Sequence, residues 1–288
     1  MNNEVVLGLV QMNMAADFQT NLRKMTVMVK EAAEKGAHIV CLPELFNCPY
    51  FPQYNIDGKL DREQIHYDTI PGPTTDILSS IARDNNVILV GGSIYEKAGE
   101  NFFNTTLVYS EDGCLLGMYR KTHIPHDECF YEQSYFDEGD TGFKVIDTSH
   151  GKISPLICFD QWFPEAARSC ALDGAQILFY PTALGKVDGI EQTEGDWQFA
   201  WENVMRGHAI ANSVVVAAVN RVGREDKMEF FGGSFVIDAF GKTITRAGND
   251  EEVVLATIDL DHGRRVREGW GFFRNRRPEC YQQLIERK

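Results

Sequence analysis

The chain has 288 residues, of which 43% are hydrophobic and 24% are charged, and its formal net charge is -14. This length can bury a large core, and the composition is that of a water-soluble globular protein. The acidic surplus argues against a nucleic acid partner and against an anionic membrane surface, and it agrees with a neutral or cationic substrate.

The first half of the chain alternates apolar strands with amphipathic helices. Hydrophobic periodicity and the stop at Gly36 define the elements. In chain order they are a strand at 5–10, a helix at 17–35, a strand at 38–42, a helix at 75–85, a strand at 87–90 and a hairpin of 105–109 with 115–119.

The second half repeats this order of elements. A strand runs to Cys158, and it is followed by a helix at 164–172, a strand at 177–180, a helix at 197–211, a strand at 214–219 and a hairpin around Phe240-Gly241. The segment 36–43 also resembles the segment 174–181, which indicates a duplication. We therefore expect an α/β fold, a four-layer αββα sandwich built from two similar halves.

Cys158 ends an apolar strand and precedes a polar turn and a helix that starts near Pro164. A thiol in this position lies beside backbone N–H groups that can lower its pKa and hold an oxyanion. The alternative is an inert, buried strand cysteine. Because ligands bind at the carboxyl ends of strands, we expect Cys158 and Glu44 to lie at equivalent strand ends and to converge on one site.

Three charged residues and three histidines are further candidates for catalysis. A partly desolvated Glu44 suits a general base, and Lys121 at the end of the hairpin suits an electrophile that Glu132 could position. Each of these charged residues could instead have an ordinary structural role. Glu44 could be a helix N-cap or part of a surface ion pair, and Lys121 and Glu132 could be solvated surface charges. A cysteine–histidine pair also remains open, with its base drawn from His123, His126 and His208.

The chain has seven cysteines, an odd number with no C-x-x-C pair, which indicates a reducing compartment. No cysteine and histidine cluster has the spacing of a zinc site, so we expect no metal. The apolar runs are too short to span a bilayer, and no signal peptide follows Met1. We expect a cytoplasmic protein with no membrane partner.

Three motifs, in this order, resemble the nitrilase superfamily of carbon–nitrogen hydrolases; they are Leu42-Pro43-Glu44, 120–125 and 158–165. The resemblance implies that Cys158 is the nucleophile, that Glu44 is the general base and that Lys121 stabilises the oxyanion. It also implies that Glu132 orients the others and that the backbone N–H of Phe159 completes the oxyanion hole. It implies no cofactor.

Further stretches resemble the branch of this family that hydrolyses N-carbamoylputrescine to putrescine, carbon dioxide and ammonia; they include 139–143, 179–183 and 276–279. The stretches 126–129 and 186–195 depart from that branch, and we expect both to line the pocket. The expected substrate-binding residues are Tyr50, Phe130, Trp162, Thr182 and Asp196. A carboxylate would pair with the substrate's ammonium group; the candidates are Asp127, Glu128, Glu191, Glu194 and Asp196.

Other functions remain open at this point. A β-ureidopropionase or an ω-amidase would act on a substrate that bears a carboxylate, and Lys186 would then pair with that carboxylate. A non-catalytic binding protein on the same fold is an alternative of another class. We expect a hydrolase domain at 1–260 and a C-terminal extension at 261–288 that packs on a neighbouring subunit of a homo-oligomer, a dimer or larger.

Overall fold

The computed structural model describes residues 4–56, 62–190 and 193–286. Its α-helices are α1 (Phe18–Glu34), α2 (Pro73–Asn85), α3 (Pro164–Leu172), α4 (Trp197–Asn212) and α5 (Leu260–Trp270). Its strands are β1 (Glu4–Gln11), β2 (Ile39–Cys41), β3 (Ile88–Val90), β4 (Ile94–Ala98), β5 (Asn101–Tyr109), β6 (Leu115–Arg120), β7 (Ile146–Thr148), β8 (Gly151–Pro155), β9 (Ile177–Thr182), β10 (Gly185–Val187), β11 (Val215–Asn220), β12 (Val222–Glu225), β13 (Met228–Phe231), β14 (Phe235–Ile237), β15 (Thr243–Arg246) and β16 (Glu252–Asp259).

The first sheet has seven strands in the order β16-β1-β2-β3-β5-β4, with β6 also paired to β5. The strands β1, β2 and β3 run parallel, as buried apolar strands joined by helices do. Strand β16 lies antiparallel along the whole of β1, and β5 forms hairpins with β4 and β6.

The second sheet repeats this plan with six strands in the order β15-β14-β11-β9-β8-β7. The strands β8, β9 and β11 are parallel, β7 lies antiparallel outside β8, and β14 pairs antiparallel with β11. The expected division into two similar halves is confirmed.

The two sheets pack face to face because successive side chains of each strand point to opposite faces. Leu7 and Leu9 of the first sheet share one buried cluster with Phe179 and Ala217 of the second sheet. The outer face of the first sheet packs on α1 and α2, and the outer face of the second sheet packs on α3 and α4. The expected four-layer αββα sandwich is therefore confirmed.

Most expected ends lie within two residues of the observed ends, and β5 begins four residues earlier than expected, at Asn101. The helix expected from residue 17 begins at Phe18, because Asp17 is its N-cap and accepts a hydrogen bond from the Thr20 N–H. The helix expected from 75 begins earlier, at Pro73, which is a favoured first residue of a helix. The strand expected to reach Cys158 ends at Pro155, and a 3₁₀ turn begins at Cys158.

One expectation about strand equivalence is wrong. Glu44 follows β2, the second of three parallel strands, whereas Cys158 follows β8, the first of its three. Strand β8 corresponds to β1, because each has an antiparallel neighbour on its outer side. The two residues therefore lie at carboxyl ends of non-equivalent strands.

A small third sheet has the order β10-β13-β12, and neither its strands nor β16 followed from the sequence pattern. Phe230 and Met228 of β13 pack with Leu45 and Tyr50 of the segment that follows β2. The small sheet thus supports the loop that carries Glu44. Among the described helices, none combines the length and the apolar character needed to cross a bilayer.

Candidate active site

Lys121 lies between two carboxylates in the interior. It follows β6, and its Nζ donates hydrogen bonds to Glu44 Oε1 at 2.8 Å and to Glu132 Oε2 at 2.6 Å. All three side chains are fully buried. Because a buried ammonium is costly unless it is paired, this double contact fixes the lysine in place.

The charges of these groups follow from their burial and from one another. Burial lowers the pKa of Lys121, but Glu132 and Glu44 raise it, and the net effect is a raised pKa, so the ammonium keeps its charge. Burial raises the pKa of Glu132 to about 7 against the opposing effect of Lys121. The result is a fixed positive charge held by carboxylates.

Cys158 is the buried first residue of a 3₁₀ turn, and its φ of 41° lies in the left-handed region that a cysteine rarely adopts. Such strain at a strand-to-helix turn is typical of a nucleophile. Burial raises the pKa of the Cys158 thiol, Glu44 raises it further, and Lys121 lowers it. A thiol with a raised pKa needs a base to remove its proton.

Glu44 has one oxygen available for that proton. Its Oε1 accepts hydrogen bonds from Lys121 and from Asn104 Nδ2, the latter at 2.8 Å. Its Oε2 is buried and has no hydrogen-bond partner among the described residues. Asn104 was not singled out from the sequence. The sequence does offer a signal for it. Asn104 is an amide in the middle of the largely buried strand β5, and a buried polar group needs a hydrogen-bond partner.

Tyr50 lies behind Glu132, and it is not among the residues that line the cavity above Cys158. Its hydroxyl donates a hydrogen bond to Glu132 Oε1 at 2.7 Å, and its ring is fully buried. Both oxygens of Glu132 are therefore occupied, one by Tyr50 and one by Lys121. Tyr50, which we expected to bind substrate, contacts the Glu132 carboxylate instead.

A cavity of about 650 Å³ opens above Cys158. Its apolar walls include Phe130, Phe159, Trp162 and Trp197, so two of the expected substrate-binding residues, Phe130 and Trp162, line it. Its acidic lining residues are Asp127, Glu128, Glu132 and Glu194, and the described lining residues include no lysine or arginine. The described lining of this cavity is therefore both apolar and acidic.

The other residues expected in the pocket lie elsewhere. Thr182 is fully buried, and its hydroxyl donates to the Tyr180 carbonyl at 2.9 Å. Asp196 is the N-cap of α4 and accepts from the Phe199 N–H at 3.1 Å, because an aspartate just before a helix satisfies its free N–H groups. Lys186 lines a separate cavity.

Both stretches expected to line the pocket contribute to it, through Asp127 and Glu128 and through Ile190 and Glu194. Glu191 lies outside the described residues. Within the described ranges, no group of three or more His, Cys, Asp or Glu side chains is arranged to hold a metal ion.

The three candidate histidines make contacts away from the thiol. His123 Nδ1 lies 2.7 Å from Asp160 Oδ1, His208 Nε2 lies 2.8 Å from the Gln161 carbonyl oxygen, and His126 packs against the Tyr131 ring. The charged groups that act on the pKa of Cys158 are Glu44, Lys121 and Glu132. The geometry therefore favours a glutamate as the base.

Comparisons with known proteins show which family the chain belongs to. The family model described as carbon–nitrogen hydrolase matches residues 6–268. An N-carbamoylputrescine amidase from Solanum lycopersicum is 39% identical over 297 residues, which covers 99% of this chain and 96% of the relative. A citrullinase from Francisella tularensis is 35% identical over 288 residues, which covers 98% of this chain and 99% of the relative.

Solved structures show the same relationship. The crystal structure of a carbon–nitrogen hydrolase from Helicobacter pylori G27 matches with a TM-score of 0.89 and 37% identity, and the match covers 99% of each chain. The yeast protein Nit3 from Saccharomyces cerevisiae, a member of branch 10 of the nitrilase superfamily, matches with a TM-score of 0.81 and 28% identity over 95% of this chain and 97% of that one. The chain belongs to the carbon–nitrogen hydrolases of the nitrilase superfamily.

Proposed function

We propose that this hydrolase converts N-carbamoylputrescine and water to putrescine, carbon dioxide and ammonia. The observation that carries the proposal is the cavity above Cys158, whose described lining is apolar and acidic and has no lysine or arginine. The likeness to the tomato N-carbamoylputrescine amidase supports the same substrate.

In the first half of the reaction, Glu44 takes the proton of the Cys158 thiol, and the sulfur forms a bond to the carbonyl carbon of the ureido group. The carbonyl π electrons move to oxygen, and the resulting oxyanion is stabilised by the Lys121 ammonium and by the Phe159 N–H. When the carbonyl re-forms, the C–N bond breaks, and Glu44 returns its proton to the departing ammonia. Glu132 keeps Lys121 in place.

In the second half, Glu44 takes a proton from water while the oxygen of that water bonds to the thiocarbamate carbon. The C–S bond then breaks, and the sulfur of Cys158 receives the proton from Glu44. The product is a carbamic acid, which loses carbon dioxide to leave putrescine. Every proton that Glu44 accepts is returned within the same half-reaction.

The acidic residues Asp127, Glu128 and Glu194 would bind the ammonium group at the far end of the substrate. They come from two separate segments, one before Glu132 and one before α4, and both segments reach the cavity. These carboxylates are exposed, and each can form a charge-assisted hydrogen bond with a bound ammonium group. The four methylene groups of the substrate would lie against the aromatic walls.

The alternative substrates bear a carboxylate, as in N-carbamoyl-β-alanine, the ω-amides and citrulline. Such a group needs a basic partner when it is buried. Lys186, the candidate for that task, lines another cavity. The acidic lining of the cavity above Cys158 would repel the carboxylate, so the observations favour the cationic substrate.

Ammonia release from a matched set of ureido compounds tests this proposal. The set is N-carbamoylputrescine, N-carbamoyl-β-alanine, citrulline and N-butylurea, which has the same carbon chain without the ammonium group. We expect kcat/KM for N-carbamoylputrescine to exceed that for N-butylurea by roughly 10- to 100-fold, the effect of one or two charge-assisted contacts. Faster turnover of N-carbamoyl-β-alanine or citrulline would overturn the proposal.

The proposal includes a cytoplasmic homo-oligomer in which residues 261–288 pack on a neighbouring subunit. Exposed apolar side chains in this part of the chain support it, since Trp270 is 61%, Leu284 66% and Ile285 76% exposed. Light scattering of the full chain and of the Trp270→Ser/Leu284→Ser variant tests the packing. We expect the variant to have a smaller mass, and equal masses would contradict this part of the proposal.

A further inference from the structure

Arg221 is a fully buried arginine that none of the catalytic steps uses. It lies between β11 and β12, and its Nη2 donates hydrogen bonds to the carbonyl oxygens of Leu45 at 3.0 Å and of Cys48 at 2.7 Å. A buried guanidinium is costly, and its forked donors suit the simultaneous binding of several acceptors. The contacts of Arg221 therefore point to a specific task.

Glu225 completes the contacts of this arginine. Its carboxylate lies 3.4 Å from Arg221 Nη1, and its Oε2 also accepts a hydrogen bond from the Tyr50 N–H at 2.6 Å. The side chain is buried as well. Together, Arg221 and Glu225 hold the backbone of one segment at three points, Leu45, Cys48 and Tyr50.

The proposed catalytic cluster consists of Glu44, Tyr50, Lys121, Glu132 and Cys158. The segment joins two of its members, because Glu44 precedes it and Tyr50 ends it. Leu45 has a φ of 47°, which is in the left-handed region and unfavourable for a leucine. A strained conformation persists only where its surroundings enforce it. Two hydrogen bonds hold Leu45 in this conformation. Arg221 donates one to the Leu45 carbonyl, and the Leu45 N–H donates the other to Ser93 Oγ at 2.9 Å.

The segment also closes a ring of interactions. Glu44 contacts Lys121, Lys121 contacts Glu132, and Glu132 contacts the Tyr50 hydroxyl, at 2.8, 2.6 and 2.7 Å. The backbone from Glu44 to Tyr50 completes the ring. A shift of this backbone would therefore displace the general base at one end and the support of Glu132 at the other.

We propose that Arg221 and Glu225 are positioning residues, which set the backbone from Leu45 to Tyr50 and thereby hold Glu44 and Lys121 in register with Cys158. This inference rests on the catalytic roles proposed above. Because Arg221 contacts the segment through hydrogen bonds to the Leu45 and Cys48 carbonyls, the role that we propose for it is geometric.

The variant Arg221→Lys keeps the positive charge but loses the forked guanidinium donors. It therefore separates an effect of charge from an effect of geometry. We expect kcat to fall by roughly 10- to 100-fold with KM changed less than about twofold, because small misplacements of catalytic groups carry penalties of this size. The matched control is Arg224→Lys, in the adjacent strand β12, whose side chain is 55% exposed. The control should behave as wild type, and an unchanged kcat in Arg221→Lys would overturn the proposal.

Glu225 supplies a second test that stays decisive if Arg221→Lys does not fold. Glu225→Ala removes the acceptor of the Tyr50 N–H, whereas Glu225→Gln keeps an acceptor oxygen. We expect Glu225→Ala to lose about tenfold or more in kcat and Glu225→Gln to recover most of it. Equal losses in both variants, or no loss in Glu225→Ala, would contradict a positioning role.

The double variant Arg221→Lys/Tyr50→Phe separates a positioning role of Arg221 from a general loss of stability. If Arg221 and Tyr50 act through the same segment, the double variant should lose little more kcat than the worse single variant. Fold-changes that multiply would mean independent effects and would overturn the proposal.

The rate of alkylation of Cys158 by iodoacetamide, followed on the Cys158 peptide by mass spectrometry, gives a readout without any substrate. It should fall in Arg221→Lys and stay unchanged in Arg224→Lys. If the wild type does not hydrolyse N-carbamoylputrescine, the proposed substrate fails, but the alkylation rates still decide the role of Arg221. Equal rates in wild type and Arg221→Lys would overturn it.

Discussion

Asp160 joins the two segments that carry Cys158 and Lys121, through its contacts with His123. Its Oδ1 accepts a hydrogen bond from the His123 N–H at 3.1 Å and lies 2.7 Å from His123 Nδ1. Its Oδ2 accepts from the Ile157 N–H, directly before Cys158, at 3.0 Å. One buried carboxylate thus links the backbone next to Cys158 with the segment next to Lys121.

The variant Asp160→Asn should impair both activity and stability. An amide of the same shape points an N–H₂ group at donors that need an acceptor, so we expect a loss of about 1–3 kcal/mol in the free energy of unfolding. We expect kcat to fall about tenfold or more because the Cys158 turn shifts. Urea unfolding and ammonia release measure the two effects. Asp173→Asn, at an exposed helix end, is the control, and an Asp160→Asn enzyme as active and stable as that control would contradict this account.

Removal of the candidate histidine bases should leave catalysis largely intact. We expect His126→Ala and His208→Asn to keep kcat within about tenfold of wild type, since neither ring contacts the thiol's charged neighbours in the structure. Loss of a true general base costs roughly 10²- to 10⁴-fold. Steady-state kinetics on folded variants, checked by circular dichroism, decide between the two schemes. A loss of that size in either variant would contradict the glutamate base and support a cysteine–histidine mechanism.

The pH dependence of kcat should report on Glu132. Burial raises the pKa of Glu132 to about 7. This value already includes the effect of the hydrogen bond donated by Tyr50, which by itself lowers the pKa. Protonation of Glu132 removes its ion pair with Lys121, so we expect kcat to fall as the pH drops through about 7. Tyr50→Phe removes the lowering contact, and the acidic limb should therefore move to higher pH. A limb that stays in place, or moves to lower pH, would contradict the assigned role.

The acidic residues of the cavity should control the choice of substrate and not the chemistry. We expect Glu128→Gln and Glu194→Gln each to lower kcat/KM for N-carbamoylputrescine by about three- to tenfold, because exposed carboxylates contribute modestly to binding. Turnover of N-butylurea, which has no ammonium group, serves as the internal control and should not change. Equal losses on both substrates would place these residues outside cation recognition.

The positions of Glu44 and Cys158 at strand ends could be predicted from the sequence because their motifs are local. Glu44 follows Pro43 at the end of an apolar strand, and Cys158 sits between an apolar run and a helix start, so short-range patterns mark both positions. The alternation of strands and helices likewise predicted the layers, since it follows from the periodicity of burial.

Contacts between distant segments could not be predicted in this way. Arg221 binds the Leu45 carbonyl across 176 positions of sequence, and backbone carbonyls carry no residue signature. Asp196 was placed in the pocket from its charge, although its position before a helix already indicated a cap. The strands of the small sheet have only three or four residues each, too few to show a period.

The most direct test of the account is the covalent intermediate on Cys158. Wild-type enzyme is mixed with N-carbamoylputrescine, quenched in acid and digested, and the peptides are examined by mass spectrometry, with Cys158→Ala treated in parallel. We expect an N-(4-aminobutyl)carbamoyl adduct on the Cys158 peptide and, in a folded Cys158→Ala variant, neither adduct nor ammonia release. Substantial ammonia release by the Cys158→Ala enzyme would contradict it.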